Sequence, residues 1–235
     1  MAISEEQKSD PLSVHAKDKQ VVSKKRVADH GEVFTAEREV NAMLDLVKNE
    51  TLRIDSRFLE PACGTGNFVI EILRRKLAVV GERYSKNQSE YEKYALLAVS
   101  SIYGIDILAD SLEVCRERLY SHFCDEYKSL FKEKISEDIL KSAKFLLSRN
   151  IVQGDALTMK LVGSETGISF VEWSLIKDQF KGLEYRYSDI QQDIREEDSL
   201  FNYTAHTSDI GESVYITKPI KEYPLTVYGR LYELA

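Results

Sequence analysis

The sequence predicts an α/β fold with a doubly wound, mostly parallel sheet and helices on both faces. Strand-like and helix-like segments alternate along residues 35–173, and such alternation is typical of parallel sheets. Three successive strand candidates end at or just before an acidic residue, namely Glu60, Asp106 and Asp155. Because ligands of such folds bind in the crevice outside the carboxyl ends of the strands, the three acids indicate a binding site there.

The first elements follow from local patterns. Residues 1–28 are polar and without periodicity, so we expect a flexible N-terminal arm. Apolar residues at three- and four-residue spacing predict a helix after Thr35. Arg57–Glu60 is the first strand candidate, ended by Pro61 and a glycine-rich turn, and the apolar face that begins at Phe68 predicts a helix directly after the turn.

The middle of the chain repeats this pattern. A helix through Tyr91 precedes the second strand candidate, Ser101–Asp106. Asp110 is the expected N-cap of the long helix that follows, with Glu113 placed as in a capping box. The third strand candidate is Asn150–Gln153, which is followed by glycine and aspartate.

The C-terminal part is less regular. Ile168–Trp173 is the fourth strand candidate, and the tail suggests a hairpin of Ser213–Thr217 with Leu225–Tyr232. The expected organisation is a flexible arm at 1–28, one ligand-binding domain at 29–210 and a hairpin at 211–235 packed on that domain.

Composition limits the cellular setting. The chain has 235 residues, 43% of them hydrophobic and 30% charged, as in soluble globular proteins. No apolar run approaches the roughly 20 residues that span a bilayer. The N-terminus is too charged for a signal peptide, and three cysteines without a C-x-x-C pair argue against a secreted disulfide framework. We therefore expect a cytoplasmic protein with no membrane partner.

The charge balance bears on nucleic-acid binding. The net charge is −7, from 32 basic and 39 acidic residues. Proteins dedicated to nucleic acids usually carry a basic excess, because neutralisation of phosphates dominates their affinity. Any contact with DNA is therefore local or supplied by a partner.

The turn after the first strand candidate is the most informative segment. It reads Glu60-Pro-Ala-Cys-Gly-Thr-Gly66, and its glycines let the backbone approach a ligand closely. A dinucleotide fingerprint would need a third glycine where Val69 stands, and a P-loop would need Gly-Lys-Ser/Thr, which the chain lacks. A strand-to-helix turn without a ligand is the remaining alternative.

The turn resembles the acidic-Pro-x-Cys-Gly-x-Gly motif of class I S-adenosylmethionine-dependent methyltransferases. Three further segments, Lys25–Thr35, Tyr103–Ile107 and Asn150–Ala156, are similar to motifs of the N6-adenine-specific DNA methyltransferases of restriction–modification systems. The resemblance covers residues 24–160 and implies a Rossmann-like fold, S-adenosylmethionine as cofactor and DNA as substrate.

The resemblance also implies a role for each matched residue. Phe34 and Thr35 would flank the methionine moiety of the cofactor. Asp106 would hold the ribose hydroxyls, Ile107 would pack on the adenine, and Asp155, followed by Ala156, would accept from the adenine amino group. The remaining residues would shape the cofactor turn: Glu60, Pro61, Cys63, Gly64, Gly66 and Phe68.

The sequence departs from the family where the methyl acceptor would bind. Those enzymes carry Asn/Asp-Pro-Pro-Tyr/Phe after the fourth strand, and this chain has no Pro-Pro pair. The nearest substitute is Val171–Ser174, where Trp173 would stack on a base and Glu172 would accept from its amine. A core position for Trp173 is the favoured alternative, and the catalytic residues stay unknown.

Two lesser patterns raise other kinds of site. Cys115, His122 and Cys124 resemble a ligand cluster, but Cys124 would point away from Cys115 on a helix, so we expect no metal site. A basic–aromatic segment follows the fourth strand candidate. It is either a local nucleic-acid contact or an ordinary surface segment, and it comprises Lys177, Phe180, Lys181, Tyr185, Arg186 and Tyr187.

Three functions fit these patterns. The first is methyl transfer from S-adenosylmethionine to N6 of adenine in DNA, as a direct displacement assisted by proximity and orientation. The second is a catalytically degenerate cofactor-binding subunit or regulator with a restriction–modification partner protein, which the acidic charge favours. The third is methyl transfer to an acceptor other than DNA.

Overall fold

A computed structural model describes residues 35–193, 203–207 and 213–235. The chain divides into two compact units, Met1–Ala36 and Glu37–Ala235. The structure describes only Thr35 and Ala36 of the first unit, both partly exposed. Every element named below belongs to the second unit. The expected domain boundaries at 28/29 and 210/211 lie outside the described residues.

Helices and strands alternate over the first two thirds of the second unit. The described α-helices are α1 Glu37–Asp45, α2 Lys48–Thr51, α3 Asn67–Tyr84, α4 Gln88–Ser100, α5 Ala109–Phe131, α6 Glu137–Asn150 and α7 Tyr187–Asp193. The described strands are β1 Phe58–Glu60, β2 Ile102–Asp106, β3 Ile151–Asp155, β4 Lys160–Leu161, β5 Ser169–Ile176, β6 Gln179–Arg186, β7 Tyr203–Thr207, β8 Ser213–Thr217, β9 Lys221–Glu222 and β10 Thr226–Val227. Short 3₁₀ segments cover Lys132–Lys134 and Tyr228–Leu234. No helix in these ranges is long and apolar enough to cross a bilayer.

The principal sheet has the order β1-β2-β3-β4. Its first three strands are parallel, and the short β4 is antiparallel to β3. The predicted α/β class with a mostly parallel sheet is therefore confirmed, as are the three strand candidates that end at or just before acids. The helices predicted after Thr35, after the glycine turn, through Tyr91 and after Asp106 are confirmed as α1, α3, α4 and α5.

The alternation of side chains along β2 divides the core in two. Ile102 belongs to the larger cluster, which is built mainly by apolar residues of α3, α4, α5 and α6. Tyr103 and Ile105 point to the other face and pack with Ile168, Phe170 and Tyr187. Within the described residues, the start of β5 and the first residue of α7 thus cover that face.

The fourth strand candidate does form a strand, but it does not join the principal sheet. β5 pairs antiparallel with β6 in a second sheet of order β10-β6-β5, with β9 also on β6. Only two residues, Lys177 and Asp178, separate β5 from β6, and so short a connection requires antiparallel pairing. The expectation of a fourth parallel strand is therefore wrong.

The expected C-terminal hairpin is also wrong in its pairing. Ser213–Thr217 is a strand, β8, but it pairs with β7. Of the Leu225–Tyr232 segment, only Thr226 and Val227 form a strand, which pairs with β6, and a 3₁₀ segment begins at Tyr228. Leu231 is fully buried and anchors this last segment in the larger core.

Asp110 is not the N-cap of α5. The helix begins at Ala109, and its N-cap position is Leu108, which forms no side-chain capping bond. The amide of Leu108 instead donates to Oδ1 of Asp106 at 2.8 Å. The acid that ends β2 thus binds an amide just before the helix, and Asp110 lies in the first turn, where a negative charge favours the helix dipole.

Candidate functional site

The candidate site lies at the carboxyl edge of β1, β2 and β3, and its three acids are staggered along that edge. Glu60 is the register partner of Gly104, so Asp106 extends two residues beyond it. Asp106 is in turn the partner of Gln153, so Asp155 extends two residues further. The parallel sheet therefore brings together the three acids that the sequence predicted at one edge.

Backbone hydrogen bonds hold the turn between β1 and α3 against β2. The Cys63 amide donates to the Ile105 carbonyl at 2.9 Å. The Gly66 amide donates to the Cys63 carbonyl at 2.8 Å, and the Gly66 carbonyl accepts from Ile70. Gly66 is the N-cap of α3 and closes the turn in a left-handed conformation, with a φ of 92°.

The two glycines of the turn are required for different reasons. Gly64 has a φ of 52°, a backbone conformation that residues other than glycine adopt only at a cost in free energy. At Gly66 a Cβ would also lie 2.7 Å from Sγ of Cys115 on α5, so the turn and α5 approach too closely for any side chain. The sequence predicted a ligand approach at Gly66, and the structure adds this approach to α5.

Asp106 organises the turn through both carboxylate oxygens. Oδ2 accepts from the Gly64 amide at 2.8 Å, and Oδ1 accepts from the Leu108 amide at 2.8 Å. Each carboxylate oxygen has a further lone pair, so Asp106 can still accept from a hydroxyl donor of a ligand. The contact with Gly64 is absent from the sequence-based interpretation, in which Asp106 binds only ribose.

Asp155 is a partly exposed acceptor at the end of β3. Its Oδ1 accepts from the amides of Leu157 at 2.8 Å and Thr158 at 3.4 Å. The Leu157 amide is the main cause that holds the pKa of Asp155 below its ordinary value, with the Thr158 donors adding to it. The side chain is therefore ionised at neutral pH and suited to accept from an amine.

Glu60 behaves differently from the other two acids. It is half-buried, and burial raises the pKa of its carboxyl above the ordinary value, although a hydrogen bond from the Ala62 amide opposes the shift. That amide lies 3.3 Å from Oε1. Glu60 is thus less readily ionised than an exposed glutamate.

Apolar side chains next to the acids are exposed. Ile107 is 46% exposed, directly after Asp106. Leu157 is 93% exposed, two residues after Asp155, and Ala156 between them is partly buried. The amide of Gln153 donates from Nε2 to the Ile107 carbonyl at 3.1 Å and fixes this segment to β3. An aromatic ring packed here would cover apolar surface that water now contacts.

The remaining predicted turn residues are divided between surface and core. Pro61 is exposed at the start of the turn, whereas Phe68 is partly buried against the larger core. Cys63 is 6% exposed, and a hydrogen bond with the Cys115 thiol, together with burial, raises the pKa of its own thiol. Phe34 lies outside the described residues, and Thr35 belongs to the first unit.

Trp173 and Glu172, the residues of the fourth strand candidate expected to bind a substrate base, have other contacts in the structure. Trp173 is 5% exposed and packs edge-on against Phe145, with ring centroids 6.0 Å apart. Glu172 forms an ion pair with Arg57 at 2.7 Å. Trp173 is therefore a core residue, as the favoured sequence interpretation has it, and its ring is not available to stack on a base.

The basic–aromatic segment is mostly structural. Phe180 is fully buried, and Tyr187 is 4% exposed in the smaller core cluster. Lys181 pairs with Glu222 at 2.7 Å. Two of its three aromatic rings are thus unavailable for stacking on nucleotides.

Sequence reasoning missed one residue that contacts the turn. Arg118 of α5 donates from Nη1 to the Thr65 carbonyl at 2.6 Å and to Oδ1 of Asn67 at 2.9 Å. No pattern in the sequence indicates this contact, because it depends on how α5 packs beside the turn. In the described ranges, no three histidine, cysteine or acidic side chains are grouped so as to hold a metal ion.

No protein family, curated protein or solved structure matches the chain.

Proposed function

We propose that the second unit binds S-adenosylmethionine at the carboxyl edge of β1–β3 and belongs to a Rossmann-like methyltransferase that modifies N6 of adenine in DNA. The observation that carries the proposal is the double hydrogen bonding of Asp106, which joins the glycine turn to the start of α5. That arrangement places an acceptor carboxylate beside a turn in which glycines leave backbone exposed.

The residues of the edge fit the chemical groups of the cofactor. Asp106 retains lone pairs for the ribose hydroxyls, and Asp155 is an ionised acceptor for the adenine amino group. Ile107 offers an exposed apolar surface for the adenine ring. When bound, S-adenosylmethionine supplies an electrophilic methyl group on its sulfonium.

DNA as the acceptor rests on the resemblance of residues 24–160 to N6-adenine methyltransferases. The net charge of −7 makes a partner subunit the more suitable source of phosphate contacts. We therefore include a restriction–modification partner protein in the proposal.

A second candidate is a cofactor-binding subunit without transfer activity of its own. The burial of Trp173 in the core favours it, because the ring is not available to stack on the target base. In this version the group that accepts from the target adenine comes from another polypeptide.

Calorimetric titration with S-adenosylmethionine tests the proposed site. We expect saturable binding to the wild type and at least tenfold weaker binding to Asp106→Ala. Asp125→Ala is the control, because Asp125 is an exposed carboxylate on α5, the helix that follows Asp106. Absence of binding to the wild type would refute the proposal.

Methyl incorporation then separates the two candidates. Tritiated methyl transfer to unmethylated DNA by the chain alone supports the enzyme. Incorporation only after a partner protein is added supports the subunit.

A further inference from the structure

We propose that Arg118 is a positioning residue that holds the glycine turn in its binding shape, an inference that rests on the proposed function. Its guanidinium donates to the Thr65 carbonyl and to the side chain of Asn67, the first residue of α3. Thr65 lies between the two glycines with left-handed backbone, so Arg118 reaches the centre of the turn from α5.

The turn needs an external constraint because glycine restricts its own backbone least. Gly64 and Gly66 are fixed by bonds to the Asp106 carboxylate and the Cys63 carbonyl. The peptide that joins Thr65 to Gly66 is held by Arg118, which donates to the Thr65 carbonyl. An arginine donates from a planar fork and loses little side-chain freedom per bond, which suits this task better than a lysine.

Electrostatics argue against a purely stabilising role for Arg118. The side chain is half-buried, and burial lowers the pKa of its guanidinium, with Arg74 nearby acting in the same direction. Within the described residues, none of its hydrogen-bond acceptors is a carboxylate. A cation beside the N-terminus of α3 also opposes the dipole of that helix. The charge of Arg118 is therefore costly for the fold, and its two hydrogen bonds to the turn are the contacts that offset this cost.

Arg116 provides a matched control on the same helix. Its Nε donates to the Ile151 carbonyl at 2.9 Å. Ile151 is the first residue of β3, which is separated by β2 from the strand that leads into the turn. Arg116→Ala thus removes an arginine–carbonyl contact of α5 without touching the glycine turn.

The experiment compares Arg118→Ala, Arg118→Lys and Arg116→Ala with the wild type. Calorimetry gives the dissociation constant for S-adenosylmethionine. Hydrogen exchange of the cofactor-free proteins reports on the Gly64 and Gly66 amides, and thermal unfolding reports on overall stability.

We expect Arg118→Ala to weaken binding at least tenfold and to speed exchange of the two turn amides at least tenfold, with β2 and β3 amides unchanged. Arg118→Lys recovers part of both effects, and Arg116→Ala leaves both near the wild-type values. Wild-type affinity and exchange in Arg118→Ala would overturn the inference, as would equal losses in Arg116→Ala.

The failure of the proposed function gives a different result. If the wild type binds no S-adenosylmethionine, the proposed function is wrong. The exchange rates of the turn amides still decide whether Arg118 positions the turn.

Discussion

The Gly64 amide donates to Oδ2 of Asp106 at 2.8 Å, although the two residues are 42 positions apart in the sequence. The other oxygen of the same carboxylate binds the Leu108 amide. Substitution of Asp106 therefore changes the turn as well as any direct contact with a ligand. Substitution of Asp155 tests the contact with a ligand, and substitution of Gly66 tests the turn, so these two residues separate the effects better.

If the proposed function holds, Asp155→Asn should abolish the preference of the site for an adenine amino group over a carbonyl oxygen. The wild type should bind S-adenosylhomocysteine about tenfold more tightly than S-inosylhomocysteine, because the inosine analogue carries an oxygen where adenine donates. The asparagine variant can offer either an acceptor or a donor, so the ratio should fall towards one. Competition calorimetry measures both constants. An unchanged ratio in the variant would show that Asp155 does not contact the amine, and Asp125→Asn is the control.

Gly66→Ala should destabilise the fold by about 3 kcal/mol, because it combines left-handed backbone strain with a steric clash. The clash is with Sγ of Cys115, 2.7 Å from the added Cβ. Gly163→Ala is the matched control: Gly163 has a φ of 70° with no atom within 4 Å of a built Cβ, so strain alone should cost about 1 kcal/mol. Urea denaturation gives both free energies of unfolding.

A double variant isolates the clash from the strain. Cys115→Ala removes the sulfur, so the Gly66→Ala substitution should cost less in that background than in the wild type. Equal costs in the two backgrounds would mean that the turn relaxes away from α5.

The principal sheet and its edge acids could be predicted because their signals are local. Each strand candidate ends at or near an acid, and a parallel sheet necessarily brings such ends to one edge. Partners that depend on distant contacts could not be predicted in this way. The strand pattern of Ile168–Trp173 is genuine, but periodicity does not distinguish a parallel neighbour from the antiparallel β6.

The same limit applies to the site. Glycine spacing indicates that the backbone of the turn is exposed, whereas the reach of Arg118 from α5 to Thr65 depends on how two helices pack. The Asp110 cap was wrong because α5 begins at Ala109, which places Asp110 inside the first turn instead of before it. A sequence pattern does not locate the first residue of a helix that closely.

The only tryptophan of the chain gives a direct test of the core interpretation. Trp173 is 5% exposed, and a Cβ on Gly182 would lie 2.6 Å from its ring. Its fluorescence should be blue-shifted, weakly quenched by acrylamide and unchanged on addition of adenine-containing oligonucleotides. Quenching by an oligonucleotide that saturates with concentration would instead place the ring against a base.

Lys76 should make the free energy of unfolding depend on alkaline pH. Its side chain is fully buried, and its ammonium donates to the carbonyls of Ile54 and Ser56 and to Oγ of Ser101. Burial lowers the pKa of Lys76 from 10.5 to about 7. Between these values the unfolded chain binds one more proton than the folded chain, so stability rises with pH across this window and is lost as pH falls towards 7.

Denaturation at several pH values measures this effect against Lys76→Met. The difference in free energy of unfolding between the wild type and this variant should grow by about 2 kcal/mol from pH 7 to pH 9. Lys86→Met is the control, because Lys86 is exposed. A difference that stays constant over this range would mean that the three acceptors keep Lys76 charged in the folded state, so that the hydrogen bonds outweigh the desolvation of the ammonium.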